Sequence, residues 1–199
     1  MRVLLVLAHP LPESYAASVA KTVRETLEAG GHSVDLLDLY AENFDPRLTE
    51  KERRGYFDEP YDTSDVAGIV ARLQAAEALI LVFPQWWFNL PAVLKGFFDR
   101  AFAPGVAFRH DKAGGRIIPL LTNIRHFWAF TTTGSPWWVV KFYMGDPVRR
   151  QLKRGIAIFC NKRVDFRLLA LHDMDRATDE KRKAHLERVK AALQRLGKA

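Results

Sequence analysis

The stretch "ALILVFPQWWFNLPAVLKGFFDR" (Ala78–Arg100) decides the fold. Ala78–Phe83 is apolar without a break, as a strand covered on both faces requires. A loop crowded with aromatics follows, Pro84-Gln85-Trp86-Trp87-Phe88-Asn89. Pro91 then opens a helical pattern that runs to Phe102, with proline in the first turn where its missing N–H costs nothing. Strand, loop and helix in this order are half of a βαβ unit, whose strands lie parallel.

The same alternation extends both ways along the chain. Arg2–Ala8 reads as a buried strand, and Ser14 as the cap of a helix that runs to about Ala29 and stops at Gly30-Gly31. Ser33–Tyr40 is a second strand. Residues 41–62 are rich in turns, with a short helix announced by the capping box Thr49-x-x-Glu52. Ser64–Ala76 is a helix and Ala78–Phe83 the third strand. A glycine-containing loop (103–115) leads through "RIIPLL" into "HFWAFTTTG", the fourth strand. Pro147–Cys160 is helical, "DFRLLALH" the fifth strand, and a basic helix after Thr178 closes the chain. The expectation is one α/β domain over residues 1–199: a doubly wound, five-stranded parallel sheet with helices on both faces.

Composition narrows the function classes. With 48% hydrophobic and 27% charged residues the chain is globular rather than disordered or fibrous. Its apolar runs are strand-length, far short of the ~20 residues a spanning helix needs, so no membrane insertion is expected. The opening "VLLVLAHP" is too short for a signal-peptide core, and Cys160 is the only cysteine. A cytoplasmic location follows, with neither a disulfide framework nor a metal site. The net charge of +7 is uneven: from Lys141 onward 16 Lys+Arg face 7 Asp+Glu, a sum of +9. In the last helix, however, Leu186, Val189, Leu193 and Leu196 share one face, so the charges fall on a solvated face. No base-reading motif accompanies them, and nucleic acid is not expected as a partner.

Ligands of such sheets bind beyond the carboxyl ends of the strands. After strand one, "HPLPES" offers His9, Ser14 and Tyr15 at a helix start whose free N–H groups suit a phosphate, although a serine there is commonly only a cap. Neither a G-x-G-x-x-G nor a P-loop pattern is present. After strand three, three successive aromatics cannot all point inward, so at least one edges a cleft. After strand four, Thr131-Thr132-Thr133-Gly134-Ser135 lets backbone approach a ligand closely, or is a simple turn. A phosphate-ready helix start, an aromatic loop and a small polar loop along one sheet edge converge on a flavin nucleotide.

These segments resemble the flavodoxin-like NAD(P)H dehydrogenase (quinone) family. The likeness is carried by "LAHP…ES", by "DLY…NFDP" (Asp38–Pro46), by "FPQWWFNLPAVLKGFFDRAF…GVAF" and by "TTTGS". It implies strand order 2-1-3-4-5 and a cofactor site formed by His9, Ser14, Tyr15, Pro84, Gln85, Trp86, Trp87, Phe88, Thr132, Thr133, Gly134 and Ser135. It implies FAD, with FMN the alternative, NAD(P)H as donor, and a quinone or similar flat acceptor reduced by ping-pong hydride transfer. It also implies a homodimer with sites at the interface. An alternative from the same fold is a flavin-binding regulatory subunit of a potassium-efflux transporter. Ala16 departs from an asparagine of FAD-binding relatives. Past Gly134, a tyrosine and a histidine of the family are missing, with Met144 at the histidine's place; Trp138 and Tyr143 are the candidates left for a catalytic role. Apart from the resemblance, Arg109, Arg116 and Arg125 are either solvated loop charges, the commoner case, or partners for a 2′-phosphate.

Overall fold

The structure, a computed structural model, describes residues 1–58, 60–111 and 115–197. In chain order its strands are β1 (Arg2–Leu7), β2 (Ser33–Asp38), β3 (Ala78–Pro84), β4 (Phe108–His110), β5 (Ile117–Pro119), β6 (His126–Thr133) and β7 (Asp165–His172). The α-helices are α1 (Tyr15–Ala29), α2 (Glu50–Arg54), α3 (Ala67–Ala75), α4 (Ala92–Ala101), α5 (Pro147–Arg150) and α6 (Asp179–Leu193). The main sheet is parallel throughout, in the order β2-β1-β3-β6-β7. Counted over its own five strands this is the expected 2-1-3-4-5.

Each strand feeds two cores by simple alternation. Leu4, Val6, Leu79 and Leu81 point to the face covered by α3 and α4, where they meet Leu73, Leu94 and Phe97. Val3, Leu5, Ile80 and Val82 point to the other face, against Val19, Val23 and Leu27 of α1 and Val189 and Leu193 of α6. This double covering is why Ala78–Phe83 carries no polar residue.

The family-like segment Asp38–Pro46 is held down by packing and charge. A Cβ on Gly96 of α4 would collide with the Pro46 backbone, so only glycine lets the "NFDP" stretch cross that helix. Beside it, Arg100 of α4 donates from Nε to Glu52 Oε1 at 2.8 Å and from Nη1 to the Asp45 carbonyl at 2.7 Å. Glu52 also completes the predicted capping box, accepting from Thr49 N at 2.7 Å while its own N–H donates to Thr49 Oγ1. Burial pushes the Glu52 carboxyl up, but the bonds from Thr49 and Arg100 outweigh it and hold the group below its usual range.

Some expectations shift. The second strand ends at Asp38, and Ser64–Val66 is a 3₁₀ turn before α3. Pro91 is the N-cap of α4 rather than a residue of its first turn. The segment read as loop and lead-in holds an antiparallel hairpin, β4 with β5. Three-residue strands are too short to show a period. The loop reading of 103–115 includes residues 112–114, which lie outside the described residues. Pro147–Cys160 is helical, but most of it is π (Gln151–Ile156) and 3₁₀ (Ala157–Phe159) after the single turn of α5. A further π turn, Val139–Tyr143, had no sequence signal. Among the described residues no helix is long and apolar enough to cross a membrane.

Candidate functional site

The order of the sheet reverses at β1, whose neighbours β2 and β3 are reached by chain leaving in opposite directions. The loops beyond β1, β3 and β6 therefore diverge around a cleft. A cavity of about 450 Å³ lies there, lined by His9, Tyr15, Ala16, Pro84, Gln85, Trp86, Trp87, Thr132, Thr133, Gly134, Met174 and Asp175. Nine of the twelve residues anticipated from sequence are in this lining. Ser14, Phe88 and Ser135 are not.

Each loop is shaped by local bonds. Ser14 is the N-cap of α1, its Oγ accepting from Ala17 N at 3.1 Å, so its hydroxyl serves the helix and Tyr15 and Ala16 present the first turn to the cavity. His9 Nδ1 accepts from Leu11 N at 3.1 Å, which orients the ring 6.0 Å from that of Trp86. Gln85 N donates to Thr132 O at 2.7 Å and ties the second loop to the third. The Gln85 side chain is buried, and among the described residues its Oε1 has no hydrogen-bond partner. Thr133 Oγ1 accepts from Ser135 N, folding the 133–135 turn. The Asp175 carboxylate lies over Gly134, where a Cβ would make it swing aside.

The aromatic loop answers the question of where three aromatics point. Asn89 N donates to Trp86 O at 3.0 Å, closing a turn with Trp87 and Phe88 at its two central positions. Both have left-handed backbone, φ 52° and 57°. Such turns ordinarily take Asn-Gly, and a bulky residue there costs of order 1–3 kcal/mol. Trp87 is 95% exposed, Phe88 is half-buried and Trp86 borders the cavity. Left-handed backbone and an exposed ring thus coincide at Trp87, on the mouth of the cavity.

Behind the cavity Tyr15 is anchored to α6. Its hydroxyl donates to the Arg182 carbonyl at 3.0 Å and lies 2.8 Å from His185 Nδ1. Among the described residues the other ring nitrogen, His185 Nε2, is buried without a partner. Burial pushes the tyrosine pKa up to about 12, against the opposing pull of Arg182. Burial, then Arg188 and His172, push His185 down from 6.5 to about 4. A histidine kept neutral by folding favours the unfolded state in acid: between pH 6.5 and 4 only the unfolded chain takes up the proton, and stability falls with pH. The full effect is roughly 3 kcal/mol. Chemical denaturation at pH 6.5 and pH 4 should therefore show a loss that a His185→Gln variant reduces by about that amount.

The catalytic candidates fare differently. Neither Trp138 nor Tyr143 lines the cavity; Trp138 precedes the π turn, and Tyr143 is 82% exposed at its end. The π turn points these rings outward, which a linear spacing could not reveal. Arg125 is also misplaced for a phosphate role: it directly precedes β6, at the end of the strands opposite the cavity, and pairs with Glu77. Conversely, Met174 and Asp175 were missed. They follow the fifth strand, so the rule that ligands bind beyond strand ends pointed there too, but "HDMD" has no motif of its own.

Comparison with known proteins agrees with this geometry. The family described as "Flavodoxin-like fold" matches residues 1–196. The rat protein named "Ribosyldihydronicotinamide dehydrogenase [quinone]" is 32% identical over 182 residues, 82% of this chain and 78% of that protein. The solved NAD(P)H:quinone oxidoreductase of Methanothermobacter marburgensis superposes with a TM-score of 0.82 at 26% identity, covering 98% of this chain and 96% of that one. An FMN-dependent NADH-azoreductase of Bacillus anthracis, solved with FMN, has a TM-score of 0.79 over 98% of both chains; at 17% identity it shares the fold alone. With the family matched over nearly its whole length and quinone-dehydrogenase relatives covering most of it, the chain belongs to the flavodoxin-like NAD(P)H dehydrogenase (quinone) family.

Proposed function

We propose that the protein is a flavin-dependent oxidoreductase that carries two electrons from NAD(P)H to a quinone or similar flat acceptor. The observation that carries this reading is the left-handed Trp87–Phe88 turn at the mouth of the 450 Å³ cavity. Strained backbone persists where it is put to use, and rings placed at a cleft suit a planar heteroaromatic ligand.

The donors and acceptors present fit a flavin nucleotide. Gln85 Oε1, buried and unpartnered, can accept from a ring N–H. The first turn of α1 offers backbone N–H groups and the positive dipole end to a phosphate. The 132–135 loop brings Thr132, Thr133 and Gly134 to the other side, with Ser135 supporting the turn. A bound flavin supplies the hydride chemistry itself; the chain's part is to orient the ring, to hold its polar edge and to keep one face open to donor and acceptor in turn. FMN is the shorter candidate cofactor and FAD the longer. Tyr15, anchored to α6, offers a ring at the far end that the adenine of FAD would reach.

Large aromatic side chains lie exposed at Trp87, which borders the cavity, and at Trp138, Phe142 and Tyr143 in the segment after β6. A homodimer that covers them, with the site at its interface, accounts for so much apolar surface. The test is direct. Purified protein should be yellow, its absorbance should bleach within seconds of adding NADPH without oxygen, and double-reciprocal plots for NADPH and a quinone should be parallel. Mass spectrometry of the released cofactor separates FAD from FMN. Protein that takes up neither would sink the proposal.

A further inference from the structure

The two edges of the main sheet are finished differently. Ser33 N donates to Met1 O and Leu39 N to Leu7 O, so odd-numbered residues of β2 face β1 and Val34, Leu36 and Asp38 face outward. That edge is partly covered. The Leu36 carbonyl accepts from Arg72 Nη2 at 2.7 Å, and the Asp38 carbonyl from Glu42 N at 2.9 Å. Arg72 is fixed in turn by Asp35 and Glu42. A guanidinium laid across an edge strand is a guard against added strands.

β7, the opposite edge, has no such guard. Asp165 N donates to Arg125 O and Asp173 N to Ser135 O, so odd residues face β6 and Phe166, Leu168, Ala170 and His172 turn their N–H and C=O outward. Among the described residues no hydrogen bond takes these groups. Leu168–Leu171 contains neither charge nor proline. This edge lines a groove of about 440 Å³, formed by Leu168 to His172 together with Trp137, Lys141, Asp146, Arg149 and Arg188. Three cations against one carboxylate leave the rim positive. Among the described residues none of the three cations meets a carboxylate within 4.0 Å. The Arg149 guanidinium instead lies 5.6 Å over the Phe166 ring.

We infer that the β7 edge is a docking site for an extended, acidic segment of a partner protein, which adds to the sheet as a sixth strand. The backbone of Leu168, Ala170 and His172 supplies the hydrogen bonds, as in other recognition by strand addition. Lys141, Arg149 and Arg188 select acidic side chains, and Trp137 offers a ring at one end. At ~3.3 Å per residue the eight residues of β7 match a peptide of about the same length. The site lies apart from the flavin cavity and does not depend on the redox reading.

The test uses the full chain and a fluorescein-labelled octapeptide alternating glutamate with valine and threonine. Lysine-for-glutamate and proline-interrupted versions serve as controls. Anisotropy should show the acidic peptide binding at least tenfold more tightly than either control. Its binding should weaken at least tenfold in Ala170→Pro, which removes one outward N–H without touching the ladder to β6. The Arg149→Glu/Arg188→Glu variant leaves the backbone alone and should favour the lysine peptide. Amide exchange at Leu168, Ala170 and His172 should slow when the acidic peptide is present. Absence of binding, equal binding of all three peptides, or protection elsewhere overturns the inference. A mass that doubles with concentration in the parent but not in Ala170→Pro would give the edge to a second copy and overturn it as well.

Discussion

Replacing Trp87 with asparagine is expected to stabilise the protein without ligand and to weaken its hold on flavin. Trp87 is 95% exposed, so removing its side chain forfeits almost no burial. Its backbone is left-handed at φ 52°, a conformation that costs an ordinary L-residue roughly 1–2 kcal/mol and that asparagine tolerates. Relief of about 1 kcal/mol should raise the melting temperature of the apoprotein by about 2–4 °C for a domain of this size. Stacking on an aromatic ring contributes about 1–3 kcal/mol per base in comparable flat ligands, so flavin affinity should fall about tenfold or more. The two changes have opposite signs, which a purely structural tryptophan would not produce. Thermal melts of apoprotein and flavin titration by fluorescence check both. Unchanged flavin affinity would show that the turn holds its strain for something else, with a subunit interface the next candidate.

The second large effect concerns the buried pair of Arg100 and Glu52, whose side chains are only 6% and 3% exposed. Arg100→Leu leaves a buried carboxylate without its cation and removes the donor to the Asp45 carbonyl. Breaking one side of such a pair costs about 3–5 kcal/mol, a large share of the ~5–15 kcal/mol that holds a domain together. The loss should be worst at neutral pH, where Glu52 must stay charged. It should shrink as pH falls and the carboxyl takes a proton, because the native pair holds that group below its usual range. The double variant Arg100→Leu/Glu52→Leu should recover at least half of the loss, since an apolar pair of similar volume leaves no charge behind. Urea unfolding of the three proteins at pH 7 and pH 5 measures this. Equal losses in the single and double variants would mean that the pair acts through the α2 cap rather than through charge.

These two sites show where a sequence is legible. The capping box Thr49-x-x-Glu52 could be read from spacing, because a cap is settled within four residues. That Glu52 also receives Arg100, 48 positions later, could not, since nothing local marks which helix passes overhead. Likewise, three aromatics in a row implied that one must edge a cleft, but which of them does so depends on the loop being tied to the end of β6 through Gln85 and Thr132. The same limit hid the Tyr15–His185 contact, which spans 170 positions and looks in sequence like one more polar residue in a basic helix.

By itself the sequence determined the alternation of strands and helices, the doubly covered sheet and the three loops that matter. Apolar period, caps and turn residues act over a few positions, and the resemblance carried by "FPQWWFNLPAVLKGFFDR" supplied the strand order. Only the tertiary structure decided which of the named residues meet. It tied Tyr15 to His185 of α6 and brought Met174 and Asp175 into the cavity beside Gly134. It also left β7 open while Arg72 covered part of β2. Each of these outcomes joins residues far apart in the chain, and proximity of that kind is set by packing of the whole sheet rather than by any spacing along it.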